Sequence, residues 1–279
     1  MIETRRGALV LMILGLGVMA IGIGLVKPVN AQRDTEPTPL PLYSLPDARL
    51  SRSASSSNLA LAADNRTLVA ANMLNNTISI VLPTQGQLVA EIPVGKDPRS
   101  LAFVNQDTQV VVANRGDGTL SLVDVATQAM FTIPLDGVWP YGVVVDSNNL
   151  VYVSLEGSGE IAVVDVAARQ VRDRIPVGDW PTGLTLWGDF LYVSHFWSGQ
   201  ISMIYLPQKR VVNTVSTGLD TGLSQAIELD VTRGVAYLPQ TRSNAQNTSL
   251  TYDTTVFPIV NVVDFRTLSP QRERRINLD

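Results

Sequence analysis

The sequence contains no cysteine. Disulfides, thiolate metal sites and covalent attachment of a c-type haem within this chain are thereby excluded. Export is not excluded, because a large β-core does without disulfides. Histidine occurs once, at position 195, so any histidine acid, base or metal ligand has to be that residue. An excess of positive charge is also missing: the formal charge is −4, which leaves no footprint for nucleic acid. Aromatic residues make up only 6% of the chain, and long amphipathic runs at helical spacing are absent. Valine, threonine, serine, asparagine and glycine recur instead in short runs, which predicts strands and turns.

The one long apolar run, Gly7 to Val26, follows Arg5 and Arg6. With Val29 and Ala31 before Gln32, residues 1–31 read as a signal peptide cut before Gln32, or as an uncleaved signal anchor, since the run is long enough to span a bilayer. Both readings export everything after Lys27, to a periplasmic or extracellular location, and the membrane is a partner only through residues 7–26. Residues 32–57 read as a linker, stiffened by Pro37, Pro39, Pro41 and Pro46 and loosened by the serine-rich stretch Ser51 to Ser57.

Residues 58–279 repeat themselves. The segments beginning at Thr77, Thr119, Glu160 and Gln200 start 42, 41 and 40 residues apart. Pro98, Pro140 and Pro181 keep the first two of those steps, and Gly95, Gly137, Gly178 and Gly218 keep all three. Within one unit, Gly142 to Asp146, Leu150 to Leu155, Glu160 to Asp165 and Val171 to Val177 read as strands separated by turn signals. Four short strands in about forty residues is the blade of an all-β, β-propeller fold. Five such units begin near Asn58, Ser100, Gly142, Gly183 and Gln225.

Val111-Val-Ala-Asn114, Val151-Tyr-Val-Ser154 and Leu191-Tyr-Val-Ser194 resemble the signature strand of the YVTN family of β-propeller repeats. The Val-Asp pairs at 123–124, 164–165 and 263–264 and the Ile-Pro-Val-Gly turns at 92–95 and 175–178 are similar to that family too. The resemblance implies an extracytoplasmic protein, usually seven-bladed, that binds or scaffolds more often than it catalyses. Against seven, about two blades are lacking. A fragment, a five-bladed ring and assembly with another chain all remain open.

In such a fold the loop entering each innermost strand and the loop between the second and third strands share one face. Spacing places Arg99, Arg115, Trp139, Tyr141, Glu156, Trp180, His195, Phe196, Trp197 and Asp220 there. Aromatics beside a few charges suit a protein or small-molecule ligand, although Trp139 and Trp180 also fit as packing plugs between blades. His195 reads as a hydrogen-bonded loop residue or as the acid or base of a lactonase-like hydrolase together with Glu156. No Gly-x-Ser-x-Gly elbow is present. About eighteen extra residues within Gln240 to Pro258, among them Arg242 and Asp253, read as an elaborated binding loop or a passive insertion. The aspartates at 64, 107, 124, 146, 165 and 264 fall at hairpin turns, where aspartate bonds its own backbone.

No catalytic residue, metal or cofactor is assigned to this chain. The functional expectation is a binding or scaffold module acting through its loop-rich face. The insert resembles one in propeller proteins fused to c-type cytochrome domains related to di-haem peroxidases, so the propeller portion of a periplasmic redox protein is an alternative.

Overall fold

A computed structural model describes residues 54–243 and 256–278. Residues 1–31, most of the expected linker, and Asp253 lie outside them.

Sequence period becomes structure directly. Leu59–Leu61, Leu68–Asn72, Thr77–Leu82 and Gln87–Pro93 form the first antiparallel sheet, blade 1. Blade 2 is Pro98–Val104, Gln109–Asn114, Thr119–Asp124 and Met130–Pro134. Blade 3 is Pro140–Val145, Leu150–Leu155, Glu160–Asp165 and Gln170–Pro176. Blade 4 is Pro181–Trp187, Phe190–His195, Gln200–Tyr205 and Arg210–Ser216. In blades 2 to 4 the register of the first two strands shifts at the same place, just after the repeated proline. A ring nitrogen cannot donate to the ladder, and a bulge absorbs the missing bond.

Burial falls from the inside of each blade outward. Every residue of Pro181–Trp187 and of Phe190–His195 is buried, whereas the outermost Met130–Pro134 is mostly exposed. Apolar residues facing both ways from the inner strands fill the seams between neighbouring sheets. Val69, Ile78, Ile80 and Ile92 of blade 1 pack against Leu101, Val110, Val112 and Val123 of blade 2. The seams between blades 2 and 3 and between blades 3 and 4 are built likewise. Between blades 4 and 5, Phe265 meets Trp187 and Tyr192 edge to face, with ring centroids 5.0 and 5.9 Å apart. A sheet apolar on both faces is stable only when stacked in this way.

Blade 5 departs from the pattern at both edges. Thr221–Gly222 and Glu228–Asp230 share the innermost place beside Val235–Ser243. Ser269–Pro270 and Ile276–Asn277 share the outermost place beside Val256–Asp264. Among the described residues, none covers the side of blade 1 that faces away from blade 2. Leu59 and Leu61 there are 50% and 49% exposed, while Leu101, the counterpart of Leu59 in blade 2, is buried in a seam.

The propeller's strands also begin earlier than Asn58. Ala54–Ser55 pairs with Leu186 and Thr185 as a fifth strand on the inner edge of blade 4. Ser56 donates its N–H to the Leu184 carbonyl at 2.8 Å, and the Ser57 carbonyl accepts from the Leu101 N–H of blade 2 at 2.9 Å. This segment, expected to be linker, lines the inner strands of the blades. Strand-edge groups there would otherwise lack partners, and pairing with them outweighs the flexibility of a serine-rich sequence.

Candidate functional site

The two loop classes meet on one face because their backbones are tied together. The carbonyls of Asp97, Trp139 and Trp180 accept from the N–H groups of Arg115, Glu156 and Phe196 at 3.0, 3.0 and 2.9 Å, and the Asp220 carbonyl accepts from Ser243 at 2.8 Å. The repeated glycines permit this approach. A Cβ on Gly95 would lie 2.6 Å from the Asn114 side chain, and one on Gly137 would lie 2.5 Å from Leu155 Cδ1.

Three of the four tryptophans form a row on this face. The ring centroids of Trp139 and Trp180 are 5.5 Å apart, those of Trp180 and Trp197 are 6.1 Å apart at 83°, and Phe196 closes the row against Trp197 at 4.7 Å. Trp139 is 40% exposed and so is not a plug buried between blades, Trp180 is half-buried, and Trp197 is 59% exposed. Trp139 and Trp180 hold φ values of 57° and 53° immediately before a proline. A bulky residue in the left-handed region, before a proline, carries a backbone cost of about 1 kcal/mol or more. Asp97, which tolerates that region better, occupies the equivalent place in blade 2.

At the Trp139 end of the row stands a charged cluster. The Arg115 guanidinium lies 5.0 Å from the Trp139 ring centroid and donates from Nε to Glu156 Oε2 at 2.7 Å. Asp97 joins the two blade 2 arginines, 2.8 Å from Arg99 Nε and 3.8 Å from Arg115. Arg99 also sits 6.0 Å from the Tyr141 ring centroid. Burial raises the Glu156 carboxyl above its ordinary pKa, and its bond to Arg115 opposes the rise. Burial likewise raises Tyr141. Arg99 and Tyr141 border a cavity of about 290 Å³, with Ser56, Ser57 and Gln225.

Two other sequence candidates are engaged with each other. Arg242 Nε bonds Asp220 at 2.9 Å, and Arg275 approaches the same carboxylate at 3.6 Å. Arg275 also donates to Asn261, which bonds Gln240. The pair braces blade 5 rather than presenting free charge.

His195 is 3% exposed and its surroundings explain it. Nδ1 lies 2.8 Å from the Asp179 carbonyl, and Nε2 lies 2.8 Å from Ser202 Oγ. A carbonyl only accepts, so Nδ1 carries the proton and Ser202 donates to Nε2. Burial holds the imidazole pKa below its usual value. The same two positions are paired elsewhere in the fold with the direction reversed: Asn72 donates to Ser79 at 2.8 Å and Asn114 to Ser121 at 3.0 Å. In blade 3 the two positions are Leu155 and Ala162, both fully buried. His195 therefore occupies a position that the repeat fills with a polar pair or with an apolar one. Glu156, its expected carboxylate companion in a hydrolase, is turned to Arg115 instead.

A prediction follows from the blade 3 pair. His195→Leu alone should cost about 1–2 kcal/mol by removing the partner of the Asp179 carbonyl and leaving Ser202 with Thr214 alone, and adding Ser202→Ala should restore part of it. Denaturant unfolding of both variants measures the coupling, and equal losses in single and double variants would refute it.

Of the turn aspartates, Asp64, Asp124, Asp146, Asp165 and Asp264 accept from N–H groups of their own turns, as expected. Asp107 differs: it accepts from Ala63 N–H of blade 1 at 2.7 Å, tying two blades together.

Among solved structures, the fold is similar to hydrazine synthase of Kuenenia stuttgartiensis, with a TM-score of 0.69 over 88% of this chain and 69% of that one. The chain is a β-propeller. At 15% identity the likeness concerns the fold alone. No family model matches the propeller's sequence, and a search of curated proteins finds no match.

Proposed function

We propose that this propeller is an exported binding module of the YVTN type, and that it holds its partner through the Trp139–Trp180–Trp197 row on its loop face. One observation carries the reading. Two tryptophans are kept in left-handed backbone before prolines, and one of them is well exposed. Strain of that kind, without full burial to repay it, marks a position kept for contact with something else. Exposed apolar residues flank the row: Val138 at 49%, Leu223 at 40% and Leu219 fully. An aromatic centre with apolar surroundings is the composition of a docking surface.

Export rests on the apolar N-terminal run behind Arg5 and Arg6, with residues 1–31 as signal and the proline-rich stretch after them as spacer. Ala54 pairs with Leu186, at the far end of Pro181–Trp187 from Trp180.

The test is a photo-crosslinking residue placed at Val138 or Leu219, against controls at Asn148 and Asp189 in the opposite loops, in cells that make the full chain. Adducts with a defined partner from the first two positions alone are expected. Equal labelling at all four, or none at Val138 and Leu219, would contradict the assignment.

A further inference from the structure

Beside the row, a cavity of about 550 Å³ opens between the loop entering blade 4 and the outer strands of that blade. Trp180 and Trp197 form two of its walls, and their rings meet nearly at a right angle, 83°. Asp179, His195, Ser202 and Thr214 are among its other lining residues, and no lysine or arginine borders it. His195 is spent on the Asp179 carbonyl and Ser202, and burial favours its neutral form. Asp179 therefore supplies the cavity's charge, which is negative.

Internal comparison sharpens the point. The residue two after the end of the second strand is Gly116 in blade 2 and Gly157 in blade 3, and it is Trp197 in blade 4. The residue after the repeated glycine is Lys96 in blade 2 and Val138 in blade 3, and it is Asp179 in blade 4. Blade 4 thus replaces a turn glycine with a large aromatic ring and a lysine or valine with an acid, at adjoining positions. The repeat needs neither change.

Two aromatic walls in a corner, with one carboxylate and no competing cation, suit a ligand that is positively charged yet weakly hydrated. A small metal cation wants six or more oxygen ligands, and one carboxylate with a few hydroxyls falls short. A methylated ammonium group carries its charge on an apolar surface and gains from aromatic faces and a nearby carboxylate together. We propose that this cavity binds a quaternary or methylated ammonium head group between Trp180 and Trp197, with Asp179 as its counter-charge. The proposal rests on the reading of the row as a binding face and names the chemistry of one ligand for it.

Titration of the full chain with choline and tetramethylammonium, followed by tryptophan fluorescence and calorimetry, tests it. Both cations should give a saturable response. The uncharged isostere 3,3-dimethylbutanol should bind about tenfold more weakly or worse, because it loses the charge while keeping the shape. Trp197→Gly restores the residue that blades 2 and 3 carry, so it should unfold as the parent does while weakening choline about tenfold, and Asp179→Asn should do the same. Equal binding of choline and the alcohol would overturn the proposal, as would unchanged affinity in folded Trp197→Gly. Crosslinking at Val138 and Leu219 with no choline response would sink the cation site and leave the binding face standing.

Discussion

Gly142→Ala should be among the most damaging single substitutions in this protein, costing about 3 kcal/mol and lowering the melting temperature by roughly 10 °C. The reason is convergence at the axis. Gly142 lies in the innermost strand of blade 3, and a Cβ there would stand 2.4 Å from the Thr182 carbonyl of blade 4 and 3.1 Å from Ser154 and Ser56 Oγ. The first of these is backbone, held by the Ser154 hydroxyl at 2.6 Å, and cannot swing aside. Gly183, one blade on, meets the Ala226 backbone at 2.7 Å in the same way. Gly86 is the control. It has a φ of +61° but nothing within 4 Å of its missing Cβ, so Gly86→Ala should lose only about 1 kcal/mol of backbone strain energy. Thermal or denaturant unfolding separates the two. Equal losses would mean that the blades do not converge as described.

These contacts also show why the sequence was legible. Each blade has to repeat the same close approaches, so glycine, proline and the apolar strands recur in register. Leu150–Leu155 and Glu160–Asp165 are found where the pattern places them. The first strand of blade 3 starts at Pro140 rather than Gly142, because a proline that opens a strand reads locally as a turn mark. Features that depend on distant partners left no periodic trace. Ala54–Ser57 looks like linker because serine carries no strand signal, and its partners lie far along the chain in blades 4 and 2.

The loop face followed from spacing alone, since the repeat dictates which loops are neighbours. How its side chains pair did not. Arg115 reaches across a seam to Glu156, and Arg242 turns to Asp220. Arg115 and Glu156 sit one repeat step of 41 residues apart, yet the period does not say that opposite charges there will pair, and Arg242 and Asp220 share no such step. Asp97 and Asp179 went unselected although a signal existed: Asp97 occupies the Trp139 position one repeat earlier, and Asp179 directly precedes Trp180.

The central claim is that the tryptophan row is held out at the surface for contact and is not part of the core. Trp187 supplies the comparison, at 1% exposure against Phe265. Trp187→Ala should cost about 3–5 kcal/mol, as for any large side chain removed from a packed seam. Trp139→Asn should behave differently. It gives up part of the stacking on Trp180 and Arg115, and relieves backbone strain because asparagine accepts the left-handed region. The two terms oppose each other and leave a net change of about 1 kcal/mol or less. The decisive measurement is the unfolding free energy of Trp139→Asn beside Trp187→Ala in the full chain. A near-parental value for the first and a large loss for the second is the predicted result. A loss at Trp139 as large as that at Trp187 would make it a packing residue and remove the basis for a binding row.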